Sequence, residues 1–191
     1  MTSNKGPSVL TRGPEGSVDL YLIRHADAFP KDPDRWRHDG KRPLTPEGEK
    51  EFRLAARGLA RIVPQADVIL SSPARRAWHT AQILSELDPW PAPKPLPVVA
   101  ASRRRASPEK ATLALEDYAE AKYVAVVGHK PRLRELAAYL LTGEEDGLEI
   151  RIGQGSVLCI CFDGAPAPGT GKLRWLLRPK ALRLLAGQHF G

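Results

Sequence analysis

Three apolar runs of the β-strand type each end in Arg or His side chains. The run 18–23 leads directly into Arg24 and His25, and the runs 67–71 and 123–128 lead into segments that carry Arg76 and His129. In open α/β sheets, binding sites lie at the carboxyl ends of the strands. The three strand ends therefore predict one site for an anion.

Helical patterns separate these strand patterns along the chain. We predict strands at about 18–24, 67–71, 97–100 and 123–128, and helices at about 46–62, 74–87, 108–120 and 131–141. Thr45 is placed to cap the first helix, and Pro46 suits its first position. The alternation predicts an α/β fold with a mostly parallel central sheet flanked by helices.

The C-terminal third has a different pattern. Residues 156–162 and 172–178 indicate two strands joined by a segment rich in Gly and Pro. Strands joined in this way predict an antiparallel pair at the edge of the sheet.

The length of 191 residues favours one domain. We predict a flexible N-terminal leader at 1–17 without a targeting signal, a single domain at 18–180 and a C-terminal tail at 181–191. No apolar stretch reaches the roughly 18 residues that a membrane span needs, so we expect no membrane partner.

The net charge of +7 and the pI near 9.6 favour anionic partners. The block 103–105, three consecutive arginines, is expected to be a solvated charge run, and the scattered tryptophans offer no stacking surface for nucleic acid. Cys159 and Cys161 should share one face of a strand with no further metal ligand nearby. They are interpreted as reduced core residues of a cytoplasmic protein.

The residue types at the three strand ends suit phosphoryl transfer. A neutral imidazole can attack phosphorus, which makes His25 the candidate nucleophile. Arg24 and Arg76 can each present a charged planar fork to phosphoryl oxygens. His129 could hydrogen-bond the same group, in a charge state that the sequence leaves open. We expect no metal and no cofactor, because the chain has neither a phosphate loop of the GxxxxGK[ST] type nor a metal-spaced cluster.

Other polar residues receive different predictions. His38 is expected on the surface of a long loop, His79 on a helix facing away from the site, and His189 in the tail. Three residues are expected at the rim of the site, namely Trp36, Arg42 and Lys130.

The segments 24–26, 72–81 and 127–129 resemble, in order, the three motifs of the histidine phosphatase superfamily, in the branch that also contains the phosphoglycerate mutases. Segments 42–48 and 173–180 resemble its small phosphohistidine phosphatases of the SixA type, and the likeness covers about residues 18–180. It implies a phosphoglycerate mutase-like fold. It also implies that His25 becomes phosphorylated, that Arg24 and Arg76 hold phosphoryl oxygens, and that His129 completes the pocket. Its motif favours Arg76 over Arg75, which would point about 100° away on a helix.

The chain departs from the larger enzymes of that branch at the expected general acid. The candidates are Asp27, Glu109 or no residue at all. Without a well-placed acid, a phosphoramidate such as phosphohistidine is a better substrate than an ester, because its imidazole leaving group is readily protonated by solvent. We therefore expect a metal-independent phosphatase for a phosphohistidine-bearing protein, such as a phosphotransfer domain. The alternatives are a phosphatase for a small phosphate ester and a non-catalytic module that binds phosphoproteins.

Overall fold

The computed structural model describes residues 16–63, 65–100, 106–118 and 120–187. Its centre is a six-stranded sheet in the order β3-β2-β4-β1-β5-β6. The strands are β1 (Val18–Arg24), β2 (Val68–Ser71), β3 (Pro93–Pro95), β4 (Tyr123–Gly128), β5 (Val157–Phe162) and β6 (Lys172–Leu177). The predicted α/β class is confirmed. Residues 1–15, the arginine block 103–105 and His189 lie outside the described residues.

In the described parts of the chain, five α-helices cover the two faces of the sheet. They are α1 (Pro46–Ile62), α2 (Arg75–Ser85), α3 (Pro108–Glu116), α4 (Arg132–Thr142) and α5 (Pro179–Leu185). Residues of α1, α2 and α5 pack with Tyr21 and Ile23 of β1, while residues of α3 and α4 pack with Leu20 and Leu22. The alternation of β1 side chains thus supplies two separate cores, which is why this strand is apolar on both faces.

The first helix begins where the sequence predicts. The Thr45 hydroxyl accepts a hydrogen bond from the Gly48 amide at 2.9 Å, and Pro46 occupies the first helical position. The amide has no partner within the first turn, so the threonine cap satisfies an otherwise unpaired donor. Phe52, Ala55 and Leu59 form part of the buried face of the helix.

The middle of the sheet is parallel, as predicted. β4 pairs in parallel with both β1 and β2, with Arg24 opposite Gly128 and Ser71 opposite Val127. The carboxyl ends of β2, β4 and β1 therefore lie side by side. The residues that follow these strands are placed at one edge of the sheet.

The strand predicted at 97–100 is wrong. Pro97–Val99 forms a 3-10 turn, and the strand lies earlier, where Pro93 and Pro95 flank Lys94. A proline is tolerated there because β3 pairs only with β2, so one side of it needs no ladder donor. The apolar character of 97–100 is explained by Val99, which is buried in the core below the turn.

The C-terminal strands form the predicted antiparallel edge, with β5 pairing with β1 on one side and β6 on the other. The predicted tail at 181–191 begins inside α5, whose Leu182 is fully buried against the core on the α1 side. No helix in the described part of the chain has the length and apolarity needed to cross a membrane.

The contact between α1 and α5 gives a test of this packing. A side chain at Gly58 would overlap the backbone of Leu182, whereas one at Gly40 would meet nothing within 4 Å. We expect Gly58→Ala to lower the free energy of unfolding by about 1–3 kcal/mol, because neither backbone can yield without separating the helices. Urea denaturation measures this, with Gly40→Ala as the control. Equal stability of the two variants would contradict the close approach of α5.

Candidate active site

A cavity of about 620 Å³ opens at the carboxyl ends of β1, β2 and β4. All four residues predicted for the site line it: Arg24, His25, Arg76 and His129. The remaining lining residues are Lys31, Asp32, Pro33, Trp36, Arg37, Asp39, Arg42, Lys130 and Gln154. The convergence follows from the strand order, which places the three strand ends next to one another.

His25 is held by backbone hydrogen bonds at the end of β1. Its amide donates to the Gly128 carbonyl at 3.0 Å, and the Gly155 amide donates to its carbonyl at 3.1 Å. Gly155 has φ +67°, a conformation that favours glycine. The His25 ring lies 2.7 Å from the Ala26 carbonyl through Nδ1. A carbonyl can only accept, so Nδ1 carries the proton and the lone pair is on Nε2.

The surroundings of His25 keep its ring neutral. Burial lowers the pKa of His25 to about 4, the Ala26 carbonyl opposes this, and the positive charges of Arg76, Arg24 and Arg42 lower the pKa further. A neutral imidazole with a free Nε2 is the form that can act as a nucleophile.

The two predicted phosphate-binding arginines are both shielded from solvent, to different degrees. Arg24 is about half-buried and Arg76 is only 2% exposed. Arg24 Nη1 donates to the Ile152 carbonyl at 3.0 Å, and Arg76 donates from Nη1 and Nη2 to Asp39 at 2.7 and 2.8 Å. Burial lowers the pKa of both guanidinium groups, but arginine stays charged in proteins. Each Nε is buried without a hydrogen-bond partner.

His129 follows β4, with its ring centroid 5.0 Å from that of His25. Its Nε2 lies 2.9 Å from the Ser72 hydroxyl, which already accepts a hydrogen bond from the Ala74 amide. We assign the hydroxyl hydrogen to Nε2, because no other acceptor among the described residues takes it, and therefore assign the ring proton to Nδ1. Burial, followed by the effects of His25 and Arg76, holds the pKa of His129 far below its usual value. The ring is therefore neutral, and its Nδ1 is a buried donor without a partner.

Asp39 bridges two cations at the side of the cavity. Its carboxylate accepts from Arg76 Nη2 and, at 2.9 Å, from Arg42 Nε. Partial burial would raise the pKa of Asp39, but the hydrogen bonds and charges of Arg42 and Arg76 outweigh it and lower the pKa. Asp39 is therefore ionised and orients both guanidinium groups.

Taken together, the site presents a free imidazole lone pair among unpaired donors. Nε of Arg24, Nε of Arg76 and Nδ1 of His129 are all buried without a partner in the described structure. Buried donors normally find acceptors. A tetrahedral oxyanion such as a phosphoryl group offers several acceptor oxygens with the charge that these donors match.

The remaining candidate residues differ in whether they line the cavity. Trp36 and Lys130 line the cavity, as expected for rim residues, whereas Arg42 lines it as a buried residue that contacts Asp39 and the Phe29 carbonyl. Neither Asp27 nor Glu109 lines it: the Asp27 carboxylate accepts from the Thr45 hydroxyl, and Glu109 lies on α3. His79 is also outside the lining, on α2, with Nε2 3.7 Å from the Glu49 carboxylate.

Sequence reasoning missed Asp39 and Ser72, which position Arg76 and His129. Asp39 lies in a polar loop with no periodicity that could indicate its direction. Ser72 offered a signal, since it directly follows β2 inside the second motif. Among the residues that the structure describes, no group of three or more His, Cys, Asp or Glu side chains could hold a metal ion.

Comparison with known proteins identifies the family. The family model of the histidine phosphatase superfamily (branch 1) matches residues 20–93, which include His25 and Arg76. An uncharacterized protein of Picosynechococcus sp. is 33% identical over 127 residues, which are 66% of this chain and 75% of that protein.

Solved structures share the fold. The protein histidine phosphatase SixA complexed with tungstate matches with a TM-score of 0.72 at 24% identity, over 86% of this chain and 99% of that chain. The alpha-ribazole phosphatase from Shigella flexneri matches with a TM-score of 0.66 at 18% identity, over 85% of this chain and 97% of that chain.

The family match covers most of β1 and all of α1, β2 and α2, and with them two of the three strand ends that form the cavity. The third strand end, with His129, completes the arrangement in space. This chain belongs to the histidine phosphatase superfamily, branch 1, and is a hydrolase of the phosphatase class.

Proposed function

We propose that this protein is a metal-independent phosphohistidine phosphatase that forms a covalent phosphohistidine intermediate on His25. The observation that carries the proposal is the free His25 Nε2 in a cavity with three buried, unpaired N–H donors, on Arg24, Arg76 and His129. Arg24 and Arg76 bind the phosphoryl oxygens with fixed positive charge. His129 donates a neutral hydrogen bond to the same group.

The reaction proceeds in two steps. His25 Nε2 attacks phosphorus, and the P–N bond of the substrate breaks with its electron pair on the substrate nitrogen. The substrate imidazole, protonated by solvent on its other ring nitrogen, leaves as neutral imidazole. Water then attacks phosphorus and loses a proton to solvent, and the P–N bond to His25 breaks. Inorganic phosphate and neutral His25 are the products.

The Ala26 carbonyl assists the first step. When Nε2 bonds to phosphorus, the imidazole ring gains positive charge and Nδ1–H becomes a stronger donor. The carbonyl 2.7 Å from Nδ1 stabilises that charge without moving.

The acidic residues of the cavity favour a phosphoramidate substrate. Asp32 and Asp39 line the cavity, but Asp32 accepts from the amides of Asp34 and Arg35, and Asp39 is held ionised by Arg42 and Arg76. Neither is poised to protonate an ester oxygen, whereas a phosphohistidine nitrogen can take its proton from solvent. A phosphate-ester phosphatase remains the alternative, supported by the shared fold of the alpha-ribazole phosphatase.

The proposed location is the cytoplasm. Cys159 and Cys161 are both unpaired and buried in β5, and burial raises the pKa of each thiol. Buried reduced thiols suit a reducing compartment.

The first prediction from the proposed function concerns the nucleophile. We expect His25→Ala to slow single-turnover dephosphorylation of a phosphohistidine protein by about 10³-fold or more, because the covalent route is lost. EDTA should leave the wild-type rate unchanged, and alkaline quenching followed by mass spectrometry should find phosphate on His25. His79→Ala is the control, since His79 lies outside the cavity.

Other outcomes of that experiment would select another function. Faster turnover of phosphate esters than of phosphohistidine would indicate the ester phosphatase. If His25→Ala changed no hydrolysis at all, a binding module would be the better account.

The second prediction compares adjacent arginines on α2. Arg76 is buried in the cavity, whereas Arg75 is exposed and outside it. We expect Arg76→Ala to lower kcat/KM by about 10²–10³-fold, because one fixed donor to the transition state is removed. Arg75→Ala should retain wild-type kcat/KM. Urea denaturation of both variants distinguishes a loss of stability from a loss of catalysis. Equal losses of kcat/KM in the two variants would refute the assignment of Arg76 to the phosphoryl group.

The third prediction concerns protonation. The lowered pKa of His25, about 4, means that its ring stays neutral down to about that pH. ¹⁵N NMR of the imidazole groups at pH 6 should therefore show a neutral His25 ring with its proton on Nδ1, and protonation only near pH 4. The His25→Ala spectrum assigns the signal. A ring that is already half-protonated near pH 6.5 would contradict the desolvated environment.

A further inference from the structure

A second cavity, of about 480 Å³, lies beside the active site. It shares Arg24, Lys130 and Gln154 with the active-site cavity. Its other lining residues are Arg134, Glu149, Ile150, Arg151, Ile152, Gly153, Ser156, Arg178 and Pro179. The shared residues place the two cavities next to each other, and we call the pair of neighbouring cavities the groove.

The second cavity carries positive charge that the described structure does not neutralise. Lys130, Arg151 and Arg178 are exposed, and none of them forms an ion pair with a described residue. Arg134 pairs with Asp146 at 3.4 Å, and Glu149 is the one carboxylate among the lining residues. This surplus of positive charge favours an anionic ligand.

Buried donors also lack partners where the second cavity meets the active site. Ser156 is fully buried, lines the second cavity, and has a hydroxyl without a hydrogen-bond partner. Arg24 Nε is likewise unpaired, although Arg24 Nη1 donates to the Ile152 carbonyl in the same cavity. A buried hydroxyl costs stability unless an acceptor satisfies it. The Ser156 hydroxyl, which lines only the second cavity, is evidence for an anion there that is independent of the active site.

The distribution of the charges indicates a protein as the ligand. Lys31 and Arg37 are exposed at the active-site cavity, and Arg151 and Arg178 are exposed at the second cavity. Positive side chains therefore line the groove over a larger area than one phosphoryl group occupies. An acidic protein surface, with carboxylates beside its phosphohistidine, complements this arrangement.

We propose that the second cavity binds a carboxylate side chain next to the phosphohistidine of an acidic substrate protein, with Arg151 and Arg178 as specificity-determining residues. The proposal rests on the proposed phosphohistidine phosphatase function. It adds the recognition of the sequence around the phosphorylated residue.

Two synthetic peptides test the proposal. Both carry a central phosphohistidine, one flanked by four Glu residues and the other by four Gln residues. The wild-type protein should prefer the acidic peptide by about tenfold in kcat/KM, mainly through a lower KM, because two charge contacts of modest strength are added. In the double variant Arg151→Ala/Arg178→Ala the preference should fall to about twofold, with kcat and turnover of the Gln peptide retained.

A matched control removes the same charge elsewhere. Lys50 and Arg57 are exposed on α1 and line neither cavity of the groove. The double variant Lys50→Ala/Arg57→Ala should keep the full preference for the acidic peptide. If both double variants lose the preference for the acidic peptide equally, the preference results from the net charge of the protein and the proposal is overturned.

The remaining outcomes separate this proposal from the proposed function. Equal turnover of both peptides by the wild type, still dependent on His25, would overturn the carboxylate subsite and leave the phosphatase function intact. No turnover of either peptide would refute the proposed function. In that case, fluorescence anisotropy with the unphosphorylated acidic peptide still tests whether the second cavity binds carboxylates. The proposal requires that the double variant Arg151→Ala/Arg178→Ala bind this peptide more weakly than the wild type. Pyrophosphate gives a further outcome. If it inhibits the wild type but not the double variant Arg151→Ala/Arg178→Ala, and the wild type shows no preference for the acidic peptide, the cavity binds small diphosphates and the proposal is overturned.

Discussion

One buried and one half-buried guanidinium group beside one imidazole are the constraint on which this structure depends. Bringing like charges together at a partly buried site is unfavourable unless fixed acceptors satisfy them. The protein supplies the Ile152 carbonyl to Arg24, and the backbone carbonyl and Oδ2 of Asp39 to Arg76, and it leaves each Nε unpaired. The central sheet, packed between two apolar cores, carries these groups at its strand ends. An arriving oxyanion completes the electrostatic balance.

The same burial assigns different roles to two histidines. Both rings are kept neutral by desolvation and by neighbouring positive charge. Both rings carry the proton on Nδ1, but their partners differ: the Ala26 carbonyl engages Nδ1 of His25 and leaves the Nε2 lone pair free, whereas the Ser72 hydroxyl engages Nε2 of His129 and leaves its Nδ1–H free. In the proposed reaction, His25 attacks phosphorus while His129 donates to the phosphoryl oxygens. The Ala26 carbonyl and the Ser72 hydroxyl thus set the different roles of the two rings.

Arg24 connects the chemistry to the recognition of the substrate. It lines both the active-site cavity and the neighbouring basic cavity. The loop before β5 provides its carbonyl partner, Ile152, and the buried Ser156 hydroxyl. This loop therefore places a second basic surface beside the strand ends that carry His25 and His129.

The sequence by itself determined the α/β class, the antiparallel edge and four of the residues that line the cavity, because hydrophobic periodicity and strand ends are local features. It did not determine the short strand at Pro93–Pro95, since an edge strand tolerates proline and shows no apolar alternation. Nor did it determine the packing of α5 on α1, or the position of Asp39 between Arg42 and Arg76. Only the tertiary structure decided these, because each depends on contacts between segments distant in the chain, and local patterns carry no record of such contacts.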